Sequence, residues 1–205
     1  PRSDPPDPQS PQSVKPMKRR DLLRGISVSA LGLLAFPPQA LSIGGVLPAL
    51  NQPAPDFQLD GVVPGEGAGA GTAVAASRSL SDFAGQWLVL YFYPRDFTGG
   101  CTIEARGFQK DLEAFHQAGA QVVGISADDA ESHSQFCGSE GLLFPLLSDP
   151  GGRVSKLYGS WIAPFSQRHT FLIDPDGILR ARFVAVRPSG HSHEVLDTLK
   201  SLQAA

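Results

Sequence analysis

The sequence predicts an α/β domain built on a central mixed β-sheet flanked by helices, and three observations carry that expectation. Trp87 to Tyr93, reading WLVLYFY, is a continuous apolar run rich in aromatics, the pattern of a strand buried on both faces. Residues 102–117 behind it keep a helical period, with Ala105, Phe108, Leu112 and Phe115 on one stripe. Far downstream, Asp174-Pro175-Asp176-Gly177 joins two strand-like runs as a tight hairpin. Strand–helix–strand units imply parallel pairs and a hairpin requires an antiparallel one, so the sheet is mixed.

From the start of the chain, residues 1–16 (PRSDPPDPQSPQSVKP) are proline-rich, polar and without apolar period, and disorder is expected there. Residues 17–42 open with the basic MKRR, pass through an apolar stretch from about Ile26 to Phe36, and reach small residues near Ala40 and Ser42. This is the grammar of an export signal, too short to span a bilayer comfortably. Arg19-Arg20 followed by Asp21, Leu22 and Leu23 resembles a twin-arginine signal, with Met17 as the start. A short basic amphipathic helix is the alternative. Export points to a periplasm or a thylakoid lumen, with no stable membrane insertion once the signal is removed.

The domain itself is expected over residues 43–205. Within it, the Gly/Ala-rich segment 64–78 reads as a flexible surface loop between an early strand and Leu80. After the strand at 87–93 and the helix at 102–117 come a second buried strand, QVVGIS at 121–126, and a second helix from Ala130 to Glu140 that stops near Gly141. FPLLSD, a short helical piece around Val154 to Tyr158, and the strands HTFLID and ILRARFVAV follow. A last helix places Val195, Leu199 and Leu202 on one side, with Ser192 as its expected N-cap.

Composition removes several classes of function. With 17 basic against 20 acidic residues and no basic run after residue 24, no electrostatic case exists for nucleic acid or acidic lipid. The two cysteines, 36 positions apart (137 − 101), form neither a C-x-x-C pair nor a zinc set. His133, His169, His191 and His193 show no ligand spacing, and surface or capping places are expected for them. No phosphate loop or serine elbow is present, so no cofactor is expected. Thiol chemistry or a single bridge remains.

Cys101 stands where that chemistry is easiest. A buried strand ends, Pro94 stops its ladder, Gly99-Gly100 permit a tight turn, and the helix begins. A thiol in a helix's first turn faces unpaired N–H groups and the positive end of the macrodipole, which favour thiolate. Thr98 is close enough in sequence to donate to that sulfur. Spacing alone leaves open a buried structural cysteine that merely begins a core helix.

Pro94-x-x-x-Thr98-x-x-Cys101 resembles the peroxidatic signature of the peroxiredoxins. GISADDAESH, FPLLSDP and Arg168 followed by HTFLIDPDG lie in register with it, and together they look like the Q-type, or bacterioferritin-comigratory-protein, branch. The resemblance runs from about Pro53 to the C-terminus, apart from the Gly/Ala insert. It implies a thioredoxin-like fold and reduction of hydrogen peroxide or organic hydroperoxides by a Cys101 thiolate that becomes a sulfenic acid. It further implies that Pro94 shields the thiolate, Thr98 holds peroxide oxygens, and Arg168 stabilises negative charge. On its own, without the resemblance, Arg168 reads first as a surface arginine at a strand start. Glu104 also fits the family pattern, and a favourable charge at a helix start explains it as well. A thioredoxin-type reductant and a monomer are implied too.

The sequence departs from that branch at several places. Many Q-type members carry a resolving cysteine five residues after the peroxidatic one, where this chain has Arg106. Another subgroup keeps it in the region of Cys137, so the resemblance implies an intrachain Cys101–Cys137 disulfide with some helix unwinding, which Gly138 would ease. Cys137 as an ordinary core residue, with Cys101 recycled by an external thiol, is the competing reading. A non-enzymatic thioredoxin-like module with a permanent structural bridge is a third. Gly99 replaces a common proline and Phe97 a common polar residue, which changes the pocket rim.

Overall fold

A computed structural model describes residues 40–65 and 72–204. The Pro-rich segment expected to be disordered and nearly all of the expected export signal therefore lie outside the described residues. Leu41–Ser42 (β1) pairs with Gly45–Val46 (β2), and Ser42 Oγ donates to Gly159 O at 2.5 Å, so the folded domain begins before residue 43.

Seven strands form the main sheet, in the order β11-β10-β5-β6-β7-β3-β4. They are β3 (Gln58–Pro64), β4 (Ala73–Ser79), β5 (Trp87–Phe92), β6 (Ala120–Ser126), β7 (Leu146–Ser148), β10 (His169–Ile173) and β11 (Leu179–Phe183). β5, β6 and β7 are parallel neighbours, and every other pair in the sheet is antiparallel. The helices are α1 (Gly99–Gln117), α2 (Ala130–Glu140), α3 (Arg153–Leu157) and α4 (His191–Gln203), with a 3₁₀ turn at Leu80–Phe83. Two short strands, β8 (Trp161–Ile162) and β9 (Phe165–Ser166), make a separate hairpin. The mixed sheet flanked by helices expected from sequence is present.

β5 shows why a continuous apolar run fits a central strand. Val89 and Tyr91 face α1, α2 and α4, where Phe108, Leu112, Phe136, Val195 and Leu199 complete one core. Leu88, Leu90 and Phe92 face the other side, against Phe57, Val154, Tyr158 and Phe171. Alternation still operates, but both faces are dry, so no polar residue marks it. On α1 the stripe of Ala105, Phe108, Leu112 and Phe115 is buried as its period predicts. α2 ends at Gly141, whose φ of +64° is the left-handed cap that favours glycine.

Two expectations need correction. The segment 64–78 is not a loop throughout: its C-terminal part is β4, paired with β3 from Ala73↔Pro64 to Ser79↔Gln58. An edge strand with one face open to solvent tolerates small residues, so Ala and Ser here hide the strand pattern. Ser192 is not the N-cap of α4. Gly190 takes that place at φ +78°, while Ser192 lies inside the helix and its Oγ donates to the buried Asp111 at 2.6 Å. Among the described residues no helix is long and apolar enough to cross a membrane, and no group of His, Cys, Asp or Glu side chains could hold a metal.

Candidate active site

The site forms where three chain segments meet at the carboxyl end of β5. β5 ends at Phe92, and the chain turns through half-buried Pro94 to Thr98, which is the N-cap of α1. Cys101 is the third residue of that helix and is 1 % exposed. The apolar stripe of α1 and the strand beneath it hold this start in place, so the sulfur's position is fixed by the core behind it.

Arg168 arrives from far along the chain. β10 pairs antiparallel with β5, and His169 lies opposite Phe92, so the residue before β10 falls beside the start of α1. Its Nη2 donates to Cys101 Sγ at 3.4 Å, and its Nη1 donates to Glu104 Oε2. One guanidinium thus bridges a sulfur and a carboxylate on adjacent turns of one helix, using the fork geometry that lysine lacks. Burial pulls Arg168 down, but Glu104 and then Cys101 outweigh it and hold the guanidinium above its usual value. Glu104 is buried, and burial pushes its carboxyl up to about 7 against the opposing pull of Arg168. Its Oε1 has no hydrogen-bond partner.

Gly100 makes this approach possible. A Cβ at that position would stand 3.2 Å from Arg168 Nη2 and 3.5 Å from Pro188 Cγ. Pro188 belongs to the connection between β11 and α4, which is also tied to Arg168 through the Val186 N–H on its carbonyl at 3.1 Å. That wall of the site had no sequence signal.

Of the residues singled out in the sequence, Cys101, Glu104 and Arg168 are brought into direct contact, and Pro94 and Thr98 lie on the turn that leads into the same helix. Thr98 differs in one respect. Its hydroxyl, expected on the sulfur, donates to the Arg95 carbonyl at 3.0 Å and is exposed. Cys137 lies on α2 and is buried in the same core cluster as Cys101, and both thiols are free. Burial, and then the charge of Asp96, push the Cys137 thiol up to about 12.

Three histidines expected at surface or capping positions are buried instead. His133 bonds Asp96, with Nδ1 2.9 Å from Oδ2. His191 stands edge-on between Phe108 and Phe183 while its Nε2 meets Thr170 Oγ1 at 2.8 Å. His169 is enclosed at the start of β10, and burial pulls both it and His191 below the usual imidazole range. Each buries a ring face that a sequence pattern counts as polar. Only the exposed His193 agrees with the expectation.

The AhpC/TSA family matches residues 50–182. Peroxiredoxin Bcp of Xanthomonas campestris is 38% identical over 132 residues, covering 60% of this chain and 82% of that protein. Peroxiredoxin Bcp of Bacillus subtilis is 35% identical over 161 residues, 75% of this chain and 96% of that one. Among solved structures, a cysteine-to-serine mutant of Xylella fastidiosa PrxQ superposes with a TM-score of 0.60 at 37% identity, covering 62% of this chain and 84% of that chain.

Proposed function

We propose, from the premise that the chain belongs to the AhpC/TSA family and is a thiol-dependent peroxidase of the peroxiredoxin kind, that it works by a two-cysteine cycle within one chain. The observation that carries the assignment of the reacting thiol is the Arg168 guanidinium set between Cys101 Sγ and Glu104. A cation beside the sulfur favours the thiolate, and it faces the oxygen on which charge develops.

In this cycle the Cys101 thiolate attacks one oxygen of hydrogen peroxide or an organic hydroperoxide. The S–O bond forms as the O–O bond breaks, the alkoxide or hydroxide leaves and takes a proton, and Cys101 holds a sulfenic acid. Pro94 screens the sulfur from bulk water. Thr98 turns its hydroxyl from the Arg95 carbonyl to hold the substrate oxygens. Cys137 then displaces the hydroxyl as water to give an intrachain disulfide, which a thioredoxin-type dithiol reduces. The features of residues 17–42 support a working place outside the cytosol, in a periplasm or thylakoid lumen.

A single experiment tests the cycle. Reduced wild type, Cys101→Ser and Cys137→Ser are each mixed with one equivalent of hydrogen peroxide or cumene hydroperoxide, and the products are mapped by peptide mass. Wild type yields the Cys101–Cys137 disulfide, Cys137→Ser a sulfenic acid on Cys101, and Cys101→Ser no rapid consumption. Undiminished thioredoxin-dependent turnover by Cys137→Ser would transfer resolution to an external thiol.

A further inference from the structure

Asp96 lies in the pocket loop between Pro94 and Thr98 and is 3% exposed. Its carboxylate collects three side-chain donors: Tyr93 Oη on Oδ1 at 2.7 Å, and Ser132 Oγ at 2.8 Å and His133 Nδ1 at 2.9 Å on Oδ2. The Asp96 N–H donates to Asp128 Oδ2 at 2.9 Å, and Asp129 caps α2 by accepting from the Ser132 N–H at 2.8 Å. The first turn of α2 is therefore fastened to the loop that shapes the peroxide pocket. His133 Nε2 has no partner, so all of this fully buried imidazole's bonding is directed at Asp96 and Tyr93.

Beyond Phe136, which packs in the core, α2 is held by weaker means. Arg106 of α1 pairs with Glu140 at 2.5 Å; the glutamate side chain is 11% exposed but the arginine is 65% exposed, so solvent screens the pair from one side. Gln109 Oε1 accepts from the Leu143 N–H at 2.7 Å, also in the open. Phe97, 53% exposed and held at φ +58°, touches Phe136 edge-on with ring centroids 5.2 Å apart. Between Phe136 and Leu142, Cys137 is the one buried residue, and Gly138 and Ser139 are exposed. Unwinding residues 137–141 thus uncovers little beyond the thiol itself. Exposed ion pairs are weak, whereas removing a partner from a buried charged cluster is costly.

We propose that Asp96 and His133 are positioning residues for the resolving step: they form the fixed end from which residues 137–141 unwind, delivering Cys137 to Cys101 on a tether of one helical turn while the pocket loop keeps its shape. The inference rests on the reading of Cys137 as the resolving thiol. In the step itself the Cys137 sulfur bonds to the Cys101 sulfur as the Cys101 S–O bond breaks. The departing hydroxyl takes the Cys137 thiol proton and leaves as water. No further oxidant or reductant enters.

The length of the tether sets the size of the effect. From the anchored His133 to Cys137 is four positions (137 − 133); with the anchor cut, the stretch held only at the end of β6 is eleven positions (137 − 126). Effective concentration falling as the −3/2 power of length gives a loss of roughly fivefold.

The test separates two rates in single-turnover mixing of the full chain with one equivalent of hydrogen peroxide. One is peroxide consumption; the other is disulfide appearance, read by acid quench, alkylation and intact mass, with sulfinic acid counted in the same spectra. Arg106→Gln, which loosens only the weak end, should form the disulfide about two- to fivefold faster with peroxide consumption unchanged. His133→Ala and the milder Ser132→Ala should form it about fivefold more slowly and accumulate more sulfinic acid. A merely structural role predicts the same sign for all three variants, since each weakens α2. The inference is overturned if His133→Ala, or Ser132→Ala should the former not fold, forms the disulfide as fast as wild type, or if Arg106→Gln is no faster. If wild type forms no Cys101–Cys137 disulfide at all, the resolving assignment fails first and this inference goes with it.

Discussion

Arg168 donates to the Cys101 sulfur across 3.4 Å although the two residues stand 67 positions apart, and the same guanidinium holds Glu104 through its other nitrogen. The contact exists because β10 runs antiparallel beside β5 and begins level with the point where the chain turns into α1. Activation of the thiol is thus a property of the sheet register as much as of the helix start.

Removing this cation should cost the first chemical step most. Arg168→Ala is expected to lower the second-order rate constant for hydrogen peroxide by roughly 10²–10³, the range for loss of one preorganised donor at developing charge. Arg168→Lys should recover only part of it, because an ammonium cannot span sulfur and carboxylate together. Stopped-flow kinetics under single-turnover conditions gives both values, and a rate for Arg168→Ala within threefold of wild type would refute the assignment.

Gly100→Ala should separate activity from stability. The new methyl would press on Arg168 Nη2 at 3.2 Å and must displace the guanidinium or Pro188. Alanine meanwhile favours the helix by up to about 1 kcal/mol. Peroxide reactivity is expected to fall about tenfold while the urea midpoint stays level or rises; a loss of stability with unchanged reactivity would contradict the packing described.

Glu104 makes stability depend on pH in a definite direction. Its carboxyl titrates near 7 in the folded protein and near 4.3 in an unfolded chain, so the folded state binds the proton more tightly. That contribution is fully present below about pH 4.3 and is lost as pH rises through about 7. Glu104→Gln cannot lose it, and the stability of the variant relative to wild type should therefore rise by roughly 1–3 kcal/mol between pH 4.5 and 7.5. Thermal melts of both proteins across that window decide the matter, with a flat difference as the opposing result.

Cys137 should be nearly inert while α2 is folded. A thiol pushed up to about 12 carries roughly 10³ less thiolate at neutral pH than a free cysteine. Iodoacetamide labelling of Cys137 in the reduced native protein should be slower than that of free cysteine by at least this factor, and should accelerate in urea well below the global unfolding midpoint. Peptide mass mapping reads the label at each cysteine. Labelling as fast as in free cysteine would mean that the thiol is not enclosed as described.

Much of the fold was legible because β5 and β6 are continuous apolar runs and α1 and α4 carry a helical apolar period, and both patterns report local geometry directly. β4 was not, since alanine and serine on an open edge strand leave no alternation to read. Within the site, the local motif of Pro94, Thr98 and Cys101 could be read from spacing, as all three sit on one turn into one helix. The buried places of His133 and Asp96 could not, because the bond that makes both acceptable in the core joins them across 37 positions.

By itself, then, the sequence determined which thiol begins a helix, which segments alternate as strand and helix, and which family the chain resembles, all of them consequences of short-range pattern. The tertiary structure alone decided that Arg168 spans Cys101 and Glu104, and that α2 is tied down firmly at one end and loosely at the other. These depend on burial and on the mutual solvation of charges, which arise only when distant segments are packed together and water is removed.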